Sequence, residues 1–203
     1  MVDILWIDTE TTGLDSIKHG LTQLSCLVDR EGEIVNEFDI LIKPFKGCKV
    51  SKSSLDKQNI TIDDLKNNPD RKSYSEAFDL FIDFLSKYVN RYDKNEKFVL
   101  AGKNVKFDIQ FLREFFLKNG DSYFGSWFFY PSIDLDTLIA ESVAFDGLRL
   151  FNYQLETICE AFDVKIRKAH NSLYDIRATR EVYWKIKELN DTNDDYVDDT
   201  IPF

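Results

Sequence analysis

Cysteine is too sparse and too scattered to organise this 203-residue chain. Cys26, Cys48 and Cys159 lie far apart with no CxxC pair, which excludes a disulfide framework and a cysteine zinc site. No apolar run reaches the roughly 18 residues that a membrane span needs. Positive charge is missing from MVDILWIDTE, the first residues, where a secretory leader would carry it. The expectation is a soluble, cytoplasmic chain with no membrane partner. Bases are in deficit overall, 26 Lys and Arg against 36 Asp and Glu, for a net charge of −10. That balance argues against a broad positive surface for gripping nucleic acid. Half of the excess, however, sits in the last residues, DTNDDYVDDTIPF, which hold five aspartates and no base.

What the chain does have is 43% apolar content, enough for one domain with a full core. Three extended stretches, 2–8, 21–29 and 33–44, are rich in β-branched and aliphatic residues and separated by Gly13, Gly20 and Gly32, so they read as a meander. A polar stretch follows over 46–73. Helical spacing of Phe78, Phe81, Ile82, Leu85 and Val89 then predicts an amphipathic helix over 73–89. Next come a strand at 97–102, a helix at 105–118, a strand at 129–135, helices near 136–143 and 152–161, and a last helix from about 173 to 189. A meander followed by alternation predicts an α/β architecture, a mixed five-stranded sheet with antiparallel and parallel parts, flanked by helices. Residues 1–190 form the expected domain. Residues 191–203 are acidic and lack periodicity, and they read as a flexible tail.

Three acidic constellations stand out. The first strand ends in Asp8-Thr9-Glu10, and because side chains alternate along a strand, the two carboxylates share a face about 7 Å apart. Two divalent cations about 3.5–4 Å apart can be held across such a span. Such a cluster is partly neutralised when it holds metal, so the charge of the bare chain overstates the repulsion a phosphate would meet. The second is AGKNVKFDIQFL, which sets Asp108 near the start of a helix after an apolar strand, with Asn104 one turn earlier as a helix cap and Phe107 beside it. The third is AHNSLYDIRATREVYWKIKEL. There Ser172 and Asp175 have capping-box spacing at the start of the last helix, and His170 sits just before it. Each alone has an ordinary structural explanation as a solvated strand end, a cap or a surface histidine. His19, in the first turn, receives no role.

Taken in order, these pieces closely resemble the three exonuclease motifs of the DnaQ-like DEDDh family, and the likeness runs through residues 2–15, 98–112 and 130–189. The resemblance implies a ribonuclease H-like fold, 3′→5′ exonuclease activity and two Mg²⁺ or Mn²⁺ ions. By that resemblance Asp8 bridges both ions, Glu10 and Asp175 complete one site, Asp108 holds the other mostly through water, and His170 is the general base. The products would be 5′-mononucleotides. Thr11 and Leu14 match positions that contact the terminal nucleotide, Leu14 as a wedge beside the last base. Asn104 and Phe107 join that substrate-binding set mainly as supports for Asp108. An apolar wedge favours single-stranded or frayed ends, since unstacking a base costs a few kcal/mol.

TETTGL is similar to the proofreading and DNA-repair branches, whereas LWID is similar to the oligoribonuclease branch, so DNA is the first expectation and short RNA the second. A noncatalytic replication adaptor is the alternative of another class, although it would not need four carboxylates and a histidine. Six aromatics between Tyr123 and Tyr130 are expected mostly to fill volume, with base stacking as the other reading. The tail ends in Ile201-Pro202-Phe203 and resembles the acidic tip of bacterial single-stranded DNA-binding proteins. That likeness implies docking to proteins that recognise the tip. A merely solubilising tail and an autoinhibitory one are the alternatives.

Overall fold

The computed structural model describes residues 2–166 and 171–194. Three strands, β1 (Ile4–Thr11), β2 (Leu21–Arg30) and β3 (Glu33–Leu41), form the antiparallel meander. β4 (Phe98–Gly102) then pairs parallel with β1, and β5 (Phe128–Asp134) parallel with β4. The sheet order is β3-β2-β1-β4-β5, the five-stranded mixed sheet expected. β1 lies at its centre, and its alternation serves two cores. Leu5 and Ile7 face a phenylalanine-rich layer, and Trp6 faces the other side.

The phenylalanine layer comes from α3 (Tyr74–Leu85) and α4 (Val105–Lys118). Phe78 meets Phe115 and Phe116 edge-to-face at 5.3 and 5.0 Å, the geometry that aromatic quadrupoles favour. On the opposite face α5 (Leu135–Phe145), α6 (Leu155–Ala161) and α7 (Ser172–Asp194) cover Trp6, Leu27 and Ala101. α7 continues to Asp194, past the last apolar position, Leu189, at which the periodicity ends.

The stretch 46–73 is not structureless. It contains α1 (Lys52–Gln58) and α2 (Ile62–Asn67), each with a single buried residue, Leu55 and Leu65. One anchor per helix leaves no periodicity to read. Buried Arg71 ties the segment to the sheet by donating to the Thr22 carbonyl (2.7 Å) and, through two nitrogens, to Asp64. The aromatic run divides: Phe124, Trp127 and Phe128 are core, while Tyr123 and Tyr130 are exposed. Among the described residues no helix is long and apolar enough to cross a membrane.

Candidate active site

The β1–β4 ladder ends at Trp6 and Ala101, and beyond it the two strands part. Gly102 itself still packs closely on β1, since a Cβ there would stand 2.8 Å from the Ile7 carbonyl oxygen. The next turn places Asn104 in the left-handed region (φ 52°), and its N–H donates to Asp134 (2.9 Å), whose carboxylate also caps α5 through the Asp136 N–H. Asn104 stands at the N-cap position of α4, as expected, but its side chain makes no capping bond. α4 then delivers Asp108 to the open edge of β1. There the Thr9 N–H (2.9 Å) and hydroxyl (2.7 Å) both donate to one Asp108 oxygen. Asp108 is 3% exposed.

Thr9 faces away from Asp8 and Glu10, which share the α7 side of β1. α7 brings Asp175 to them in its first turn. One carboxylate oxygen from each of Asp8, Glu10 and Asp175 lies within 4.8 Å of the other two. The start of α7 differs from the expected capping box. Ser172 is the first helical residue, and the Asp175 N–H donates to the Asn171 carbonyl (3.0 Å). The buried Ser172 hydroxyl lies 2.5 Å from Ser25 Oγ. Ser25 pairs with Asp8 across the β1–β2 ladder and donates to Asp39 (2.7 Å), which leaves Ser172 to donate to Ser25.

These acids sit in each other's fields. Burial, then Asp108, Glu10 and Asp175, push the Asp8 carboxyl well above its ordinary range. Burial, then Asp175 and Asp108, lift Glu10 to about 7, against a smaller pull down from Lys57 at the end of α1. Burial also lifts Asp108 to about 7, although the two Thr9 bonds act the other way. Among the described residues no Lys or Arg forms an ion pair with Asp8, Glu10 or Asp108. Three oxygens at this spacing match hard-cation ligation, because ligands about 2.0–2.6 Å from one ion stand up to about twice that distance apart. The donor set is therefore one that a divalent cation fits.

Comparison with known proteins agrees with this chemistry. The family model described as "RNase_T: Exonuclease" matches residues 5–183. The chain belongs to that exonuclease family. The likeness to DnaQ-like 3′→5′ exonucleases read from the motifs is thereby borne out, and the family is divalent-metal dependent. Among curated relatives, the PolC-type DNA polymerase III of Halalkalibacterium halodurans is 27% identical over 88% of this chain and 11% of that protein. The corresponding protein of Thermotoga maritima is 29% identical over 90% of the chain and 12% of that protein. The chain thus spans about a tenth of the length of these relatives. Among solved structures, the zinc-bound E. coli ExoI–ssDNA complex superposes with a TM-score of 0.79 at 18% identity, over 97% of this chain and 42% of that one. The fold is the ribonuclease H-like one expected.

Other residues expected at the site of this exonuclease domain are distributed around it. Leu14 is 81% exposed at the tip of the β1–β2 loop. Thr11 is buried, and its hydroxyl donates to the Gly13 carbonyl, which shapes the start of that loop. Phe107 is half-buried against Phe111, with ring centroids 4.9 Å apart. His170, Ile201, Pro202 and Phe203 lie outside the described residues.

Sequence reasoning missed Thr9, Ser25, Gln58 and His19. The His19 ring lies where a Cβ on Gly13 would be 2.2 Å away, and its Nδ1 accepts the Asp15 N–H (3.1 Å), so it props the loop that presents Leu14. The Gln58 amide donates to the Thr11 carbonyl (2.7 Å) and fastens α1 beside Glu10. The only signal for Thr9 was its place between the two acids. For the others there was none, because each acts on a distant partner or on backbone.

Proposed function

We propose that the chain removes nucleotides from the 3′ ends of single-stranded or frayed DNA and releases 5′-mononucleotides. The observation that carries this reading is the convergence of Asp8, Glu10 and Asp175 within 4.8 Å, with Asp108 fixed on Thr9 between the first two. Asp8, Glu10 and Asp175 would hold one Mg²⁺ or Mn²⁺, and Asp8 with Asp108 a second. When bound, such ions ease deprotonation of the attacking water and offset charge on the departing 3′ oxygen. His170 takes the proton from that water, a task suited to an imidazole with an ordinary pKa near 6.5. Thr9 keeps Asp108 aimed at the cluster.

Leu14 wedges against the terminal base. An aliphatic side chain left almost fully in water on a braced loop is a natural contact for an unstacked base, and unpaired ends cost least to splay. The DNA substrate is supported by the polymerase relatives and by the single-stranded DNA named with the ExoI structure. A cytoplasmic setting follows from the scarcity and spacing of cysteine. The Ile201-Pro202-Phe203 terminus, on its sequence alone, is proposed to dock proteins that recognise acidic C-terminal tips. Removing residues 191–203 would abolish that docking.

A 5′-labelled DNA strand incubated with Mg²⁺ or Mn²⁺ tests the activity, with an RNA strand in parallel. The expected result is a ladder shortening from the 3′ end, faster on DNA and stopped by chelator. A strand left intact with both metals, or cleavage that continues in chelator, overturns it.

A further inference from the structure

A second buried acid lies on the same face of the β1–β2 hairpin as the carboxylate cluster. Asp29, on β2, is 1% exposed. Its Oδ2 accepts from the Trp6 indole (3.2 Å), the Trp184 indole (2.9 Å) and Arg180 Nε (2.6 Å), and its Oδ1 accepts the Gly32 N–H (2.9 Å). Arg180 Nη2 donates to the Gly32 carbonyl. This one carboxylate therefore joins β1, the β2–β3 turn and α7.

Burying an ion pair is costly, and apolar residues of equal volume often stabilise a fold as well or better. Apolar surfaces, however, can slide along each other. A carboxylate met by directional donors accepts one register, and registry is the best-attested use of such pairs. Here register matters. Arg180 follows Asp175 by five residues, about 7.5 Å along the helix, and a slip of one turn would move Asp175 by about 5.4 Å. That displacement exceeds the 4.8 Å within which the three ligand oxygens lie. The other ion pair from α7 to the sheet, Arg177 to Glu37, is solvent-exposed and contributes little.

We propose that Asp29, Arg180 and Trp184 are positioning residues that set the register of α7 on the sheet and so hold Asp175 against Asp8 and Glu10. The inference rests on the metal-binding reading of that cluster.

Mn²⁺ titration followed by electron paramagnetic resonance tests it on wild-type protein, Arg180→Met, Asp29→Asn and the double variant, beside melting temperature and exonuclease rate. Arg180→Met is expected to bind Mn²⁺ about tenfold or more weakly, as outer-sphere substitutions do. It should lose rate at limiting Mn²⁺, recover most of it at saturating Mn²⁺, and keep its Michaelis constant for the oligonucleotide. The double variant should be no weaker than the weaker single one, since the residues act as a unit. A lower melting temperature with wild-type Mn²⁺ affinity would mean a merely structural role and overturns the proposal. Should Arg180→Met fail to fold, Trp184→Phe removes only the indole N–H and its partner ring, and a few-fold weaker Mn²⁺ affinity is expected; unchanged affinity overturns the proposal equally. Wild-type protein that binds no Mn²⁺ overturns the metal reading, and the positioning role falls with it. Wild-type binding with unaltered variants overturns the positioning role alone.

Discussion

Asp8 and Asp29 occupy one hairpin and face the same helix, Asp29 fully buried and Asp8 half-buried, yet their surroundings are opposite. Asp29 is met by three side-chain N–H groups and a backbone N–H. Asp8 is met by three other acids, which together with burial push its carboxyl upward. A buried charge is tolerated when the fold neutralises it. Asp29 is therefore complete within the chain, whereas Asp8, as a proposed metal ligand, would be completed by a cation from outside.

The sharpest way to break this comparison is to neutralise each acid in turn. Asp8→Asn is expected to lower exonuclease rate by more than the roughly 100-fold that outer-sphere substitutions cost, because it removes a ligand itself. The same change should raise the melting temperature in chelator, since it removes the carboxylate that burial, Asp108, Glu10 and Asp175 all disfavour. Asp29→Ala should do the reverse to stability. Arg180 would be left buried without its carboxylate, at a cost of about 3–5 kcal/mol by denaturant titration. If both substitutions destabilised the metal-free protein alike, the contrast would be wrong.

A further test is with pH. Glu10 and Asp108, ordinarily near 4.5 and 3.8, are raised to about 7 in the folded chain. Raised folded values mean that the stability they contribute is complete below about pH 4 and is lost as pH rises through about 7. In chelator the melting temperature should therefore fall between pH 5 and pH 8, and Mg²⁺ or Mn²⁺ should flatten the curve. Identical profiles with and without metal would show that the cluster does not bind it.

Much of the fold was legible because burial imposes a period on residues that pack. The β-branched and aliphatic content of β1 gave that strand, and the apolar spacing in α3 gave both the helix and its inward face. α1 and α2 were illegible for the converse reason, each being held by one apolar residue, with Arg71, Gln58 and backbone bonds supplying the rest. Local rules also misread the side-chain partners of two residues. Asn104 was expected to cap α4; it holds the N-cap position, but in the left-handed rather than the extended conformation, and its side chain makes no capping bond. Ser172 was expected to cap α7, and its hydroxyl is used on Ser25, 147 residues away. For Ser172 a tertiary partner displaced the local one.

The sequence by itself determined which side chains could do chemistry, because the order and spacing of Asp8, Glu10, Asp108 and Asp175 are covalent facts, and it determined the strands and long helices that carry them. Only the tertiary structure decided that Thr9 meets Asp108 beyond the end of the β1–β4 ladder, and that Asp29 bonds Arg180 and Trp184 on the helix that brings Asp175 to Asp8. Those contacts join residues about a hundred or more positions apart, and no local pattern encodes them. They arise when directional hydrogen bonds, left over after the apolar faces have packed, find their partners.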